Sequence, residues 1–529
     1  MNISARVSAI ALCVAVLLSF DACGRNTPNT DSSSKTSSSL ASATKASPAK
    51  VPENLSLPVT LDKSLDPLTT DSMNNLVLWP LMYDSLVEPD QNFAPVLGLA
   101  SSVDNSGNIV TVHLKSSVTF SDSTPLTSKD VVYSYKQVMV TSTSFFASNV
   151  TNIDYVEPSG SSTVIFHLKT PDSMFSNLLD LPIIKYDSDL AQQYYPNTGI
   201  NTPPIGSGIY TFSTNSFSGT LSYNKSWYKG GVPGFKAINL VNMLNGSATF
   251  SNLKIGEINC MLTDYGNGTV ASAGLDTAPV YLNRMVFMGV NSANPALSDA
   301  VVRNAISLAI DRKTIVANAF SSRAAATVLP FNPNWTGLAK PDIKQFSPNY
   351  GLAQSELAKE GFAVMNSAGA LSGSIDGTAV TLSFKLLVDK DDPVATTTSK
   401  EIIADLNKAG VVVALDAEPA GVYSSMLLNN TYELYLGQIN LTDNMDITPL
   451  LSAGGAVAGA TQQGSTLSAF NDWRSGKANI NSVANAFNDE TPFIPICYRY
   501  GSVSHTKGLG GTFTPTYYDI FSGIESWHF

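Results

Sequence analysis

The segment YLNRMVFMGVNSANPALSDAVVRNAISLAIDRKTIVANAF, residues 281–320, indicates the fold class because a strand pattern in it leads directly into two helix patterns. Its first twelve residues are mostly apolar and are followed by the turn pair Asn294-Pro295. Asp299 stands at the position of an N-cap, and apolar residues then recur at helical spacing: Val302, Ile306 and Ala309. Asp311 begins a second helix. The segment therefore predicts a strand followed by a pair of helices.

The same alternation of strands and helices continues on both sides of this segment. Residues 108–120 alternate apolar and polar side chains, with His113 on the polar side. Thr127 and Asp130 then have the spacing of a capping box at the start of a helix. Further patterns predict four strands and one helix: strands at 162–169, 379–389, 411–418 and 431–440, and a helix at 397–410 that ends at Gly410. This order predicts an α/β protein with mainly parallel sheets.

The N-terminus has the pattern of an export signal. The apolar run Val7–Phe20 has 14 residues, whereas a helix needs about 20 to cross a bilayer. Residues 1–22 are therefore predicted to be a signal peptide. Ala22, Cys23 and Gly24 resemble the cleavage site of a bacterial lipoprotein, in which the cysteine becomes the lipidated N-terminus; cleavage without lipid remains the alternative. Residues 23–52 then form a flexible tether rich in Ser and Thr.

Size and charge limit the function of the remaining chain. Residues 52–529 are long enough for two or three domains. The chain has a formal charge of -11, and the first 50 residues contain five basic and two acidic side chains, so residues 51–529 have a formal charge of -14. This charge argues against nucleic acid or an anionic bilayer as the partner of the folded part.

The residue types that could carry out chemistry suggest a binding protein more than an enzyme. No nucleophile, phosphate-loop, dinucleotide or metal motif is present, so no cofactor is expected. Cys260 and Cys497 either pair as a disulfide in an exported protein or remain separate buried thiols. Asp443 and Asp446 share one polar loop, and two interpretations stay open at this point: a hydrolytic carboxylate pair or a solvated turn.

Several motifs resemble those of one known family. The motif SLDPL with YDSLVEPD, the strand-turn-helix signature VHLKSSVTFSDSTPLTSKDVVYSYKQVM, and NKSWYKGGVPGFKAINL each have a counterpart there. The most complete match is DAVVRNAISLAIDRKTIV, which resembles the helix pair of that family. By these motifs the chain resembles the dipeptide, oligopeptide and nickel substrate-binding proteins of ABC importers, the extracellular solute-binding family 5.

The resemblance implies a two-lobed periplasmic-binding-protein fold with a hinge and an additional subdomain inserted in lobe I. By analogy, lobe I consists of residues 53–80, 175–282 and 497–529. The inserted subdomain is 81–174, and lobe II is 283–496. Lobe I needs the C-terminal segment to complete it, which is the arrangement that would bring Cys260 and Cys497 near one another.

The resemblance also implies a function. The chain would be a monomeric receptor that is anchored by lipid to the outer face of the cell membrane, or that lies in the periplasm if the host has an outer membrane. It would capture a solute between its lobes and deliver it to membrane permease subunits. Peptide is the leading ligand, with oligosaccharide, opine and nickel chelate as alternatives, and a sensing role is the other use of the same fold. Asp443 aligns with the acid that holds the peptide α-ammonium, and Asp446 with a second acidic position. Trp79, Tyr83 and Tyr432 are the aromatic candidates for the cleft. An exported hydrolase ranks last.

Overall fold

The computed structural model is organised mainly by its β-strands. The structure describes residues 53–186, 204–214, 218–243, 246–264, 274–338, 348–375, 377–452, 457–458 and 464–529. The predicted signal peptide 1–22, Cys23 and the tether 23–52 lie outside the described residues.

The strands of the described part are numbered in chain order. They are β1 Leu55–Val59, β2 Val87–Pro89, β3 Pro95–Leu97, β4 Ala100–Ser106, β5 Ile109–Leu114, β6 Ile153–Ser159, β7 Thr163–Leu168, β8 Tyr210–Thr214, β9 Gly219–Tyr223, β10 Ala237–Asn242, β11 Cys260–Asp264, β12 Leu275–Asn291, β13 Ala324–Ala326, β14 Val364–Met365, β15 Leu371–Ile375, β16 Thr378–Thr381, β17 Ser383–Asp389, β18 Val412–Glu418, β19 Leu434–Asn440, β20 Val457–Ala458 and β21 Ile494–Thr506.

The helices are numbered in the same way. They are α1 Met73–Leu76, α2 Trp79–Met82, α3 Ser128–Val140, α4 Gly246–Ile255, α5 Pro295–Ser298, α6 Ala300–Ala309, α7 Arg312–Ala319, α8 Tyr350–Lys359, α9 Pro393–Lys408, α10 Ala420–Leu428, α11 Thr448–Leu451, α12 Ser465–Arg474 and α13 Ile480–Glu490, with short 3-10 turns that include Phe175–Leu178. Within the described ranges, none of these helices has the length and apolar character that crossing a membrane requires.

The local predictions hold where short-range chemistry determines the structure. The Asp299 side chain accepts a hydrogen bond from Val301 N at 2.7 Å and caps α6. Thr127 and Asp130 form the capping box of α3. The apolar face predicted for α6 is fully buried, and α9 ends before Gly410, which has a φ of 80°. Capping and helical periodicity were therefore sufficient to locate these helices.

The sheets are assembled differently from the prediction. Of the sixteen strand pairings in the described part, only β1–β10, β12–β20, β17–β18 and β17–β19 are parallel. Hairpins such as β4–β5 and β8–β9 have loops too short for a parallel crossover, so they are antiparallel. The predicted single strand 379–389 is two strands, because β16 pairs with β15 in a three-stranded sheet whereas β17 belongs to the large sheet.

Two long strands connect the two main apolar cores. The first core contains residues from 55–282 together with residues from 503–527, and the second core contains residues from 286–497. Strands β12 and β21 pair antiparallel over most of their length, and each begins in one core and ends in the other. A third cluster joins residues from 281–498 with Phe93. The chain thus passes between the cores along two paired strands.

The possible disulfide is a prediction that the structure corrects. Cys260 and Cys497 are both free and fully buried. Cys260 on β11 lies opposite His505 of β21, and Cys497 lies eight residues earlier on that same strand. Eight residues of strand span about 26 Å, whereas disulfide-bonded Cα atoms lie about 6 Å apart. The C-terminal segment does complete the first core, but it brings His505, not Cys497, to Cys260.

Candidate functional site

A narrow cleft lies where the first core meets the third cluster. It encloses about 240 Å³, open solvent included, and is lined by Pro89, Asp90, Gln91, Phe93, Tyr281, Asp443, Pro515, Thr516, Tyr517 and Tyr518. These residues come from four separate parts of the chain: the β2–β3 turn, strand β12, the loop after β19, and the C-terminal segment. Only the folded chain brings them together.

The β2–β3 turn forms one wall of the cleft. Asp90 Oδ1 accepts hydrogen bonds from Asn92 N at 2.8 Å and from Ala94 N at 2.9 Å, which closes the turn. Phe93 is held at a φ of 58° with its side chain buried. Its carbonyl oxygen accepts a hydrogen bond from Asn177 Nδ2 at 2.8 Å. A left-handed conformation is costly for a bulky residue, and it persists here because these contacts fix the turn.

The C-terminal segment forms the facing wall. The Tyr518 ring packs edge-on against Trp79, with 4.7 Å between the ring centroids. Its hydroxyl lies 2.5 Å from Ser85 Oγ, and Gln91 Nε2 donates to Pro515 O at 3.2 Å. Burial, and then the negative charge of Glu88, raises the pKa of Tyr518 well above its ordinary value, so the hydroxyl stays protonated.

Asp443 enters the cleft from the loop that follows β19. Asn283 fixes the start of this loop. Its backbone carbonyl accepts a hydrogen bond from Leu441 N at 2.8 Å, and its side-chain Nδ2 donates to Thr442 O at 2.9 Å. The Asp443 side chain is half-buried and has no hydrogen-bond or ion-pair partner among the described residues. Burial, and then the charge of Asp180, raises its pKa well above the ordinary value. A carboxylate in this position is stabilised by a cation.

A buried ion pair holds the same loop from the other side. Asn444 Nδ2 donates to Asp172 Oδ2 at 2.9 Å, and Arg474 at the end of α12 forms an ion pair with that same carboxylate. Asp172 is fully buried, and burial raises its pKa more than the guanidinium and the hydrogen bonds lower it. The chain that follows β7 and the end of α12 thus meet at the residue next to Asp443.

The Asp446 carboxylate contacts the start of α11 and the Arg474 guanidinium. Its Oδ1 accepts a hydrogen bond from Thr448 N at 2.9 Å at the start of α11 and lies 3.6 Å from Arg474 Nη1. It does not line the cleft. Of these two acids, only Asp443 lines the cleft, so the cleft itself holds no facing pair formed by Asp443 and Asp446.

The three predicted aromatic residues are core residues in the structure. Trp79 lies one layer behind the cleft, against the ring of Tyr518. Tyr83 is buried where the loop that contains Gly206 and Gly208 approaches its backbone. Tyr432 packs on Tyr435, with ring centroids 4.8 Å apart. The aromatic residues that line the cleft are others, namely Phe93, Tyr281, Tyr517 and Tyr518.

Sequence reasoning missed these residues for identifiable reasons. Tyr281 belongs to a strand and Tyr518 to an irregular segment far along the chain, and nothing in either local pattern separates a cleft residue from a core residue.

Comparisons with known proteins agree with this structure. The family model described as "Bacterial extracellular solute-binding proteins, family 5 Middle" matches residues 94–458. The oligopeptide-binding protein AppA of Bacillus subtilis is 26% identical over 364 residues, which cover 66% of this chain and 65% of that relative. The chain thus spans slightly less than two thirds of the length of that relative.

Solved structures share the fold at low sequence identity. NikZ from Campylobacter jejuni, in complex with Ni(L-His), has a TM-score of 0.61 at 20% identity and covers 90% of this chain and 100% of its own. AppA from Bacillus subtilis, in complex with a nonapeptide, has a TM-score of 0.55 at 21% identity and covers 90% of this chain and 97% of its own. The fold is the predicted two-lobed fold of periplasmic binding proteins. The chain therefore belongs to the bacterial extracellular solute-binding proteins of family 5.

Proposed function

We propose that the protein is an extracytoplasmic peptide receptor of an ABC importer, which captures a peptide between its two lobes and delivers it to membrane permease subunits. The observation that carries this proposal is the Asp443 carboxylate, which faces the cleft without a partner in the described part of the chain. A free peptide N-terminus supplies the cation that this carboxylate lacks. The receptor itself catalyses no reaction.

The cleft walls suit a peptide backbone and its side chains. Aromatic rings provide apolar surface, and Gln91 and Thr516 provide polar groups. The relatives named above bind oligopeptide in one case and a nickel-histidine complex in another. A peptide has the ammonium group that Asp443 requires, and therefore it is the preferred ligand over an oligosaccharide, opine or nickel chelate.

Closure of the lobes is the expected response to the ligand. Lobe I would comprise residues 53–80, 175–282 and 497–529 and lobe II residues 283–496, with 81–174 as the inserted subdomain. The paired strands β12 and β21, which run from one core to the other, are suited to act as the hinge. The closed form would then be recognised by the permease or, in the alternative use of the fold, by a sensor protein. Lipid on Cys23 would keep the monomeric receptor at the membrane surface.

Thermal unfolding of the purified protein with a ligand panel tests this function. The panel contains di- to hexapeptides with free or acetylated N-termini, oligosaccharides and nickel chelates. A ligand at about 100 times its Kd adds about 2.7 kcal/mol of stability, which raises the melting temperature measurably. We expect peptides with a free N-terminus to stabilise the protein and acetylated peptides to have little effect.

Two variants make this test specific to the proposed contact. Asp443→Asn keeps the shape of the side chain and removes its charge, so peptide affinity should fall about 30-fold or more. Asp154→Asn removes an exposed acid on β6 and should bind as the unaltered protein does. Equal stabilisation by free and acetylated peptides would refute the ammonium contact, and stabilisation by sugars or chelates alone would refute the peptide assignment.

A further inference from the structure

Two exposed aromatic side chains lie in contact at the edge of the cleft. Tyr517, which lines the cleft, is 38% exposed, and Phe145, in the loop that follows α3, is 42% exposed. Their ring centroids are 5.8 Å apart, and the ring planes are tilted by 37°. Single exposed apolar residues are common on protein surfaces, whereas adjacent ones beside a cleft are typical of a binding surface.

Buried aromatic rings support this pair from behind. The Phe145 ring packs edge-on against the buried ring of Phe146, with 5.3 Å between the centroids. Phe146 packs edge-on against Trp79 at 6.0 Å, and Trp79 contacts the ring of Tyr518, the residue next to Tyr517. Rings that are already held in place lose little conformational entropy when a ligand covers them.

Short hydrogen bonds close the two loops from which the exposed rings project. In the first loop, Ser144 Oγ accepts a hydrogen bond from Phe146 N at 3.3 Å, and Ser144 O accepts one from Ala147 N at 3.1 Å. In the second loop, Thr516 N donates to Asp519 O at 2.9 Å, and Asp519 N donates to Thr516 Oγ1 at 2.8 Å. The backbone on each side of the pair is therefore fixed by its own turn.

The pair continues the wall of the cleft that contains Asp443. Tyr517 and Asp443 line the same cleft, and Phe145 extends the apolar surface of Tyr517 beyond that lining. The cleft encloses about 240 Å³, open solvent included, whereas ligand pockets usually enclose about 300–1,000 Å³. A peptide that is held at Asp443 by its ammonium group would therefore extend past the lining of the cleft.

From this continuity we infer that Phe145 and Tyr517 form a specificity-determining subsite for an apolar side chain, best an aromatic one, at one of the first two positions of the peptide. The inference rests on the proposed function, since the subsite adjoins the proposed ammonium site in the same cleft. An aromatic side chain on the pair covers exposed apolar surface and packs against two rings in the tilted geometries that aromatic groups prefer.

Peptides that differ only in the position of one phenylalanine test the inference. Isothermal titration calorimetry on the full-length protein compares tetra-alanine with its four single-phenylalanine derivatives, all with a free N-terminus. We expect phenylalanine at the first or second position to tighten binding about fivefold or more, and phenylalanine at the fourth position to change it less than about twofold.

Three variants assign this gain to the aromatic pair. Phe145→Ala should reduce the gain to about twofold or less, whereas Phe145→Tyr keeps the ring and should keep the gain. Tyr155→Ala is the matched control, because Tyr155 is 46% exposed and stacks on His167 at 4.0 Å but does not line the cleft. This control should show the same gain as the unaltered protein.

The outcomes separate this inference from the proposed function. If no peptide binds the unaltered protein, the proposed function fails and the subsite fails with it. If peptides bind but the gain is absent, is equal at all four positions or persists in Phe145→Ala, the subsite is refuted and the peptide receptor stands. An equal loss of affinity for tetra-alanine and for the phenylalanine peptides in Phe145→Ala would assign the ring a structural role and would also overturn the inference.

Discussion

Replacing Arg474 with methionine should destabilise the protein in a pH-dependent way. The side chain of Asp172 is fully buried, that of Arg474 is 10% exposed, and the pair connects the chain after β7 with the end of α12. Arg474→Met keeps an apolar stem of similar length but leaves the carboxylate without its cation. Loss of one partner of a buried ion pair costs about 3–5 kcal/mol.

The structure favours the lower end of that range. Asp172 keeps its hydrogen bonds from Asn444 Nδ2 and Met174 N, both at 2.9 Å, when Arg474 is removed. We therefore expect a loss of about 3 kcal/mol at pH 8. If the folded part unfolds as one unit, its unfolding entropy is about 1 kcal/mol/K, so the melting temperature should fall by about 3 °C.

The pH dependence distinguishes a lost ion pair from lost packing. The pKa of Asp172 is already raised by burial, and removal of Arg474 raises it further. A carboxyl with a raised folded-state pKa gains a proton in the folded protein as the pH falls, and the protonated form needs no cation. The deficit of Arg474→Met should therefore be largest at pH 8 and should shrink toward pH 5.

Urea unfolding at pH 8 and pH 5 measures this difference. Lys359→Met serves as the control, because Lys359 is 64% exposed in its pair with Glu356 and its removal should cost less than about 1 kcal/mol at either pH. An Arg474→Met variant as stable as the unaltered protein at pH 8 would refute the reasoning. A deficit of equal size at both pH values would assign the loss to packing instead.

Three further predictions concern other parts of the chain. Gly208→Ala should destabilise the protein by about 2 kcal/mol or more, since the added Cβ would lie 2.5 Å from a backbone carbon, whereas Gly421→Ala on α10 meets nothing within 4 Å and should be neutral or stabilising by thermal unfolding. Burial raises the pKa of Asp519 from 3.8 to about 7, so ionisation of this group destabilises the folded protein as the pH rises between those values. The melting temperature of Asp519→Asn, relative to that of the unaltered protein, should therefore rise from pH 5 to pH 7, and a constant difference would contradict this. Cys23→Ser should release the protein from membranes in a fractionation experiment, and unchanged membrane retention would remove the proposed lipid anchor.

The cleft combines features that binding requires and that folding alone does not favour. Phe93 and Met445 are buried non-glycine residues with φ of 58° and 56°, and each lies in a loop of the site. Asp443 and Asp180 are partly or fully buried acids without cations among the described residues. Strain and uncompensated charge reduce stability, and the large apolar cores on either side supply the stability that lets the cleft persist.

Local chemistry was sufficient for the parts of the structure that depend on nearby residues. The Asp299 cap, the Thr127–Asp130 capping box and the buried face of α6 follow from spacing along the chain, because these contacts span only a few residues. The family was likewise evident from motifs spread over the folded part, and Asp443 became the candidate anchor because its polar loop aligns with the acid of that family.

Tertiary structure decided what depends on distant residues. Whether an aromatic residue lines the cleft or fills the core depends on which walls meet, so sequence patterns did not distinguish the buried Trp79 and Tyr432 from Tyr281 and Tyr518, which line the cleft. Strand register decided that Cys260 faces His505, eight residues from the predicted partner. The sequence by itself determined the helices α3, α6, α7 and α9, the family and the candidate anchoring acid. Only long-range pairing brought Tyr281 and Tyr518 to the same cleft as Asp443, because these residues lie far apart in the chain.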